Sequence, residues 1–133
     1  KKRVINFKNA KNFDNELISI LRNNQIEMIC LAGFMKILSK YFLKKFSGKI
    51  INIHPSLLPK YKGLNTHKRA LINKEKYSGC TVHFVNSKLD SGKIILQKRV
   101  KISKNETEKS LAKKILIQEH KLYPKAISKI LNL

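Results

Sequence analysis

Three residues in this sequence have the types and placement to serve a reaction that builds negative charge on an oxygen. Asn52 and His54 stand two apart in Asn52-Ile53-His54-Pro55. In extended backbone, residues two apart project to the same side. Pro55 holds His54 extended, because its ring disfavours helical geometry in the preceding residue. A neutral amide donor beside an imidazole suits the stabilisation of charge developing on a carbonyl oxygen. The competing reading is a loop histidine with Asn52 satisfying nearby backbone, and spacing alone divides evenly between the two. Asp90 lies in Leu89-Asp90-Ser91-Gly92, a combination that turns favour for local hydrogen bonding. Alone it signals little. Beside His54, a carboxylate would favour the charged imidazole.

Glu119 falls three and four residues after Leu116 and Ile115, on the apolar stripe of its helix. A charge there calls for a partner or a ligand; a rim position or an ion pair with a lysine is the alternative. The run Met35-Lys36-Ile37-Leu38 follows an apolar segment. It reads either as a strand-to-helix turn with core side chains or as an apolar wall for a flat ligand. His67, His83 and His120, with Cys30 and Cys80, show no HxxxH or CxxC spacing, so no metal site is expected. No GxGxxG or P-loop pattern occurs, and nothing cradles a phosphate by the Gly-rich route.

The elements that must position these groups follow from periodicity. Phe13, Leu17, Ile20 and Leu21 predict an amphipathic helix over 11–24. Residues 26–33 form an apolar run of strand length without a polar face, as in a parallel strand buried on both sides; Cys30 within it reads as a buried thiol. Ser39 caps a short helix through Phe46, with Gly48 as a stop. Residues 49–53 read as a second strand, which puts Asn52 and His54 at its carboxyl end, where open α/β sheets bind ligands. Residues 54–63 are loop, and a helix follows over 66–74. Residues 80–85 alternate, with Cys80, Val82 and Phe84 on one face and Thr81, His83 and Val85 on the other. A turn-rich stretch leads to a strand over 93–100, close enough for an antiparallel connection. Asn105 with Glu108 signals a helix start. Its stripe runs through Leu111, Ala112, Ile115, Leu116, Leu122, Ala126, Ile127 and Ile130, with Pro124 expected to kink or divide it. This order predicts a three-layer α/β sheet.

The 133 residues amount to one domain, and the 42% hydrophobic content is enough for an ordinary core. No apolar run reaches membrane-spanning length, and the first residues lack a signal-peptide core. Two unpaired cysteines fit a reducing cytoplasm. The net charge of +21 raises a nucleic-acid partner. Arginine, whose planar fork favours phosphate and base contacts, is scarce (Arg3, Arg22, Arg69, Arg99). The lysines are spread along the whole chain. Abundant Lys, Asn and Ile, all with A/T-rich codons, favour a solvated lysine surface over a nucleic-acid footprint.

Five segments resemble the folate-dependent formyltransferase family, specifically its glycinamide ribonucleotide (GAR) transformylases. They are LAGFMKILS (31–39), NIHPSLLPKYKGLNTH (52–67), GCTVHFV (79–85), LDSGKIILQ (89–97) and QEHKLYP (118–124). Their order and spacing fit the family from about Phe7 onward. The resemblance implies one formyltransferase domain over 1–133, with a mostly parallel sheet and an antiparallel C-terminal portion. It also implies that this sequence lacks the family's first strand-helix-strand portion, with its phosphate loop. The activity implied is formyl transfer from 10-formyltetrahydrofolate, as co-substrate, to the amine of GAR in purine synthesis, in the cytoplasm, without metal. Asn52, His54 and Asp90 match the catalytic trio. Met35, Lys36, Ile37 and Leu38, with Asn52, match the folate site, Lys36 standing where some members have arginine. Residues 86–92 match a folate-contacting loop, and Glu119 an acidic residue near GAR. A basic residue that reaches the folate in some members aligns near Ala10, with Lys11 adjacent. The rival readings are methionyl-tRNA formyltransferase, formyltetrahydrofolate deformylase and a basic nucleic-acid-binding module. GLNTH after SLLP and the C-terminal QEH argue against the first two.

Overall fold

The computed structural model of the chain describes residues 10–133, except for the side chains of residues 10 and 11. The matches near Ala10 and Lys11 and those before them lie outside what is described. The elements run α1 (Ala10–Asn23), β1 (Met28–Leu31), α2 (Lys40–Lys45), β2 (Lys49–His54), α3 (Thr66–Ile72), β3 (Tyr77–Phe84), β4 (Ile94–Lys101) and α4 (Glu108–Leu131). The strands form one sheet in the order β1-β2-β3-β4. β1 and β2 are parallel, with Leu31 opposite Asn52. β2 and β3 are antiparallel, with Asn52 opposite His83 and His54 opposite Thr81. β3 and β4 are antiparallel, with an irregularity at Val82/His83. The sheet is mixed and turns antiparallel toward its C-terminal side, as the resemblance implies.

Alternation in β2 divides the core in two. Ile51 and Ile53 join Cys80 and Val82 beneath Leu111, Ile115, Leu122 and Ala126 of α4. Ile50 faces the other way, with Leu38 and Phe42 and the stripe Leu17, Ile18 and Leu21 of α1. Helices thus cover both faces, and the three layers are those the element order predicts. Asn52 and His54 share the parity of Ile50, so both project to the α1–α2 side.

Local chemistry sets most boundaries. Ser39 caps α2, its hydroxyl accepting from Phe42 N at 2.9 Å and donating to Asp14. α4 begins two residues beyond the predicted Asn105–Glu108 signal. Its cap is Thr107, which exchanges bonds with Ser110 in a capping box. Gly79 has no side chain because a Cβ there would stand 2.0 Å from Lys98 O and 2.7 Å from Leu57 Cδ2. Its absence lets the loop after β2 lie directly on β3.

Three expectations are not met in full. Pro124 does not divide α4, which is helical from Glu108 to Leu131. The lost hydrogen bond falls on the exposed side, where water can serve the freed carbonyl, and buried Leu122 and Ala126 pin the turns on either side. Cys30 is exposed, not buried. β1 is the edge strand among the described residues. The other three residues of β1 are partly buried, so the expected full burial on both faces is not met.

Candidate active site

Two short loops bring the predicted trio together at the carboxyl ends of β1 and β2. His54, the last residue of β2, is 6% exposed. The turn between β3 and β4 carries Asp90 back over it, so that Asp90 Oδ2 lies 3.4 Å from His54 Nδ1. The same oxygen accepts from Gly63 N at 2.9 Å. Asp90 holds φ +43°, a left-handed geometry that Asp tolerates better than most residues. Gly92 makes the turn possible: a Cβ there would stand 1.6 Å from Phe84 O.

The other imidazole nitrogen is occupied as well. His54 Nε2 lies 2.9 Å from Tyr61 O. A carbonyl can only accept, so Nε2 carries the hydrogen. Asn52 stands beside this pair, and its Oδ1 is buried without a hydrogen-bond partner. Buried amide oxygens are rarely left unpaired, which marks this atom as one that a ligand can engage.

His83 joins the cluster, although its sequence context gave it no role beyond the polar face of its strand. It is 2% exposed, and its Nδ1 donates to Phe84 O at 2.8 Å. Its Nε2 is 3.6 Å from Asp90 Oδ1, a Coulombic contact too long for a hydrogen bond. Asp90 therefore lies between two imidazoles. Thr81 fixes the floor, donating to Ser56 O at 2.7 Å and accepting from Leu58 N at 3.1 Å and Gln97 Nε2 at 2.9 Å. Strand pairing could have found both residues, since Thr81 and His83 sit opposite His54 and Asn52.

These groups open into a cleft of about 1070 Å³. One wall is the segment after β1, where Met35 and Ile37 are exposed and Leu38 is buried against the α2 core while still lining the cleft. Lys36 also lines it. The opposite wall is α4, with Ile115, Leu116, Glu119 and Tyr123. Burial pushes the Glu119 carboxyl above the ordinary carboxylate range, with His120 opposing. Among the described residues, no lysine or arginine forms an ion pair with it. Burial likewise lowers His67 below the ordinary imidazole range. Cys80 lies under the sheet, away from the cleft, and burial pushes its thiol up to about 12.

Residues 1–127 match the family described as Formyl transferase. This chain belongs to the formyl transferase family. It is 43% identical over 122 residues to the phosphoribosylglycinamide formyltransferase of Escherichia coli K12, covering 92% of this chain and 58% of that protein. It is 45% identical over 128 residues to the human trifunctional purine biosynthetic protein adenosine-3, covering 94% of this chain and 13% of that protein. The crystal structure of a phosphoribosylglycinamide formyltransferase from Bacillus halodurans superposes with a TM-score of 0.88 at 36% identity, over 94% of this chain and 64% of that one. The formyl transferase chain thus spans less than two thirds of the length of these relatives.

Proposed function

We propose that this formyl transferase moves a formyl group from 10-formyltetrahydrofolate to the amine of GAR, in purine synthesis. The observation that carries the reading is the meeting of His54, Asp90 and the unpartnered Asn52 amide at one end of a large cleft with an apolar wall. Relatives bearing the phosphoribosylglycinamide formyltransferase name support the choice of acceptor.

The residues present fit a folate co-substrate. A flat apolar ring matches the wall of Met35, Ile37 and Leu38, and the orphaned Asn52 Oδ1 supplies a polar contact. Bound there, the folate supplies the formyl group. Asn52 through its amide hydrogens would donate to the formyl oxygen as negative charge gathers on it, and His54 would share its Nε2–H between the Tyr61 carbonyl and that oxygen, interactions that strengthen toward the transition state. Asp90 orients His54 from the far side of the ring and keeps a counter-charge beside it. Glu119, half-buried on the α4 wall, faces the cleft where an acceptor amine could meet a carboxylate. Holding both substrates in one cleft contributes the proximity effect. Residues 1–133 act in this reading as a single formyl transferase domain.

The test is an absorbance assay of GAR-dependent folate deformylation, on this chain and on the chain extended at its N-terminus with the matching segment of the Escherichia coli relative. Turnover that falls about a hundredfold in His54→Ala supports the reading. Absence of GAR-dependent turnover in both forms refutes it, and formylation of charged initiator tRNA is then measured.

A further inference from the structure

The backbone of Tyr61 reaches His54, and the side chain of Tyr61 is tied down on the far side of the loop. Tyr61 holds φ +55°. For an aromatic residue this left-handed geometry is strained and persists only where surrounding contacts over-determine it. Those contacts are present. Tyr61 Oη donates to Glu75 Oε1 at 2.8 Å, and Lys60 Nζ donates to the same oxygen at 2.7 Å. The Arg69 guanidinium sits 5.2 Å from the Tyr61 ring centroid. Arg69 Nη1 also donates to Lys62 O at 2.7 Å and to Leu64 O at 3.2 Å. The loop is therefore clamped on both sides of Gly63, whose own N–H holds Asp90.

The consequence falls on the imidazole. The Tyr61 carbonyl and the Asp90 carboxylate face its two nitrogens, and both are acceptors. Nε2 therefore carries its hydrogen toward the Tyr61 carbonyl, while Nδ1 keeps a 3.4 Å contact with the Asp90 carboxylate. We propose that Tyr61 and Glu75 are positioning residues: the Tyr61–Glu75 bond aims the Tyr61 carbonyl at His54 and so fixes the ring's orientation and its Nε2 hydrogen. The proposal rests on the formyl-transfer reading only for its catalytic consequence. None of these side chains touches the reacting atoms. They act through one main-chain oxygen, so a change on the outer surface of the loop reaches the centre of the site.

The decisive experiment follows the His54 Nε2–H proton by NMR, assigned by its loss in His54→Ala. A hydrogen-bonded Nε2–H exchanges slowly enough to be seen. Tyr61→Phe and Glu75→Ala each remove the anchor and should speed its exchange about tenfold. Glu75→Gln keeps an oxygen for Tyr61 Oη and should restore most of the protection. Lys60→Met, which removes only the exposed ion pair, should leave it unchanged. In the turnover assay Tyr61→Phe should lower kcat about fivefold with KM for both substrates within about twofold, the pattern of lost alignment at an intact binding surface. Wild-type protection in both Tyr61→Phe and Glu75→Ala overturns the proposal, as does an unprotected Nε2–H in the wild type. If the protection behaves as expected while no GAR-dependent turnover exists, the anchor stands and the formyl-transfer reading falls.

Discussion

The cleft wall built on β2 and β3 keeps His54, His83 and the Asp90 side chain at less than a tenth exposure, whereas the wall after β1 leaves Met35 76% and Ile37 61% exposed. The first wall is dense with hydrogen bonds across three strands and two loops. The second offers apolar side chains on irregular backbone. The difference matches what the formyl-transfer proposal would ask of each. A proton-donating cluster needs fixed geometry, and a buried polar group without partners is costly. An apolar wall that recognises a flat ring needs area and shape, which exposed side chains on a turn supply.

Substitutions can break this contrast in descending order of effect. Asp90→Asn keeps the shape of the turn and removes the charge between the two imidazoles. It should lower GAR-dependent turnover by about tenfold or more, measured as kcat. A near-normal rate would remove Asp90 from the catalytic wall. Ile115→Ala cuts into the core under the same wall and should cost about 3 kcal/mol in urea unfolding. A loss below about 1 kcal/mol would mean that α4 is held by something other than its buried stripe. Ile37→Ala on the exposed wall should change stability by no more than about 0.5 kcal/mol. It should raise KM for the folate severalfold, and equal KM values would deny that wall its binding role.

Glu119 gives the smallest effect and a signed one. Its folded carboxyl keeps a proton to higher pH than in the unfolded chain. Ionised Glu119 therefore lowers stability at neutral pH, and the penalty vanishes as pH falls below the ordinary carboxylate value of about 4.3. Glu119→Gln should raise the urea midpoint at pH 7 and leave it unchanged at about pH 3.5. A lower midpoint at pH 7 would mean that the carboxylate has a stabilising partner.

Side-chain periodicity made the buried wall on β2 and β3 legible and left the exposed wall after β1 ambiguous. The parity of Asn52 and His54, the Asp90 turn and the Ser39 cap all rest on local rules, and each stands where those rules put it. Leu38 could be read as core or as cleft lining, and it is both. Pro124 misled because tertiary burial outweighed a local preference. Cys30 differs from its reading because an apolar run alone does not fix how much of each side chain its neighbours cover. Tyr61 was invisible for a different reason. It works through a main-chain oxygen that every residue possesses, so no residue type announces it, and only the backbone geometry at that position sets it apart.

Tyr123 shows how the order of synthesis bears on this architecture. Its hydroxyl donates to Leu31 O at 2.7 Å and lies 3.3 Å from Ile51 O, so it ties the end of β1 to the middle of β2 from 92 and 72 positions further along the chain. At roughly 5–20 residues per second, a ribosome needs about 5–20 s to travel from Leu31 to Tyr123. Throughout that interval the nascent strands lack this tie. A ribosome stalled before codon 123 would therefore display β1 and β2 with the cleft still open on its α4 side.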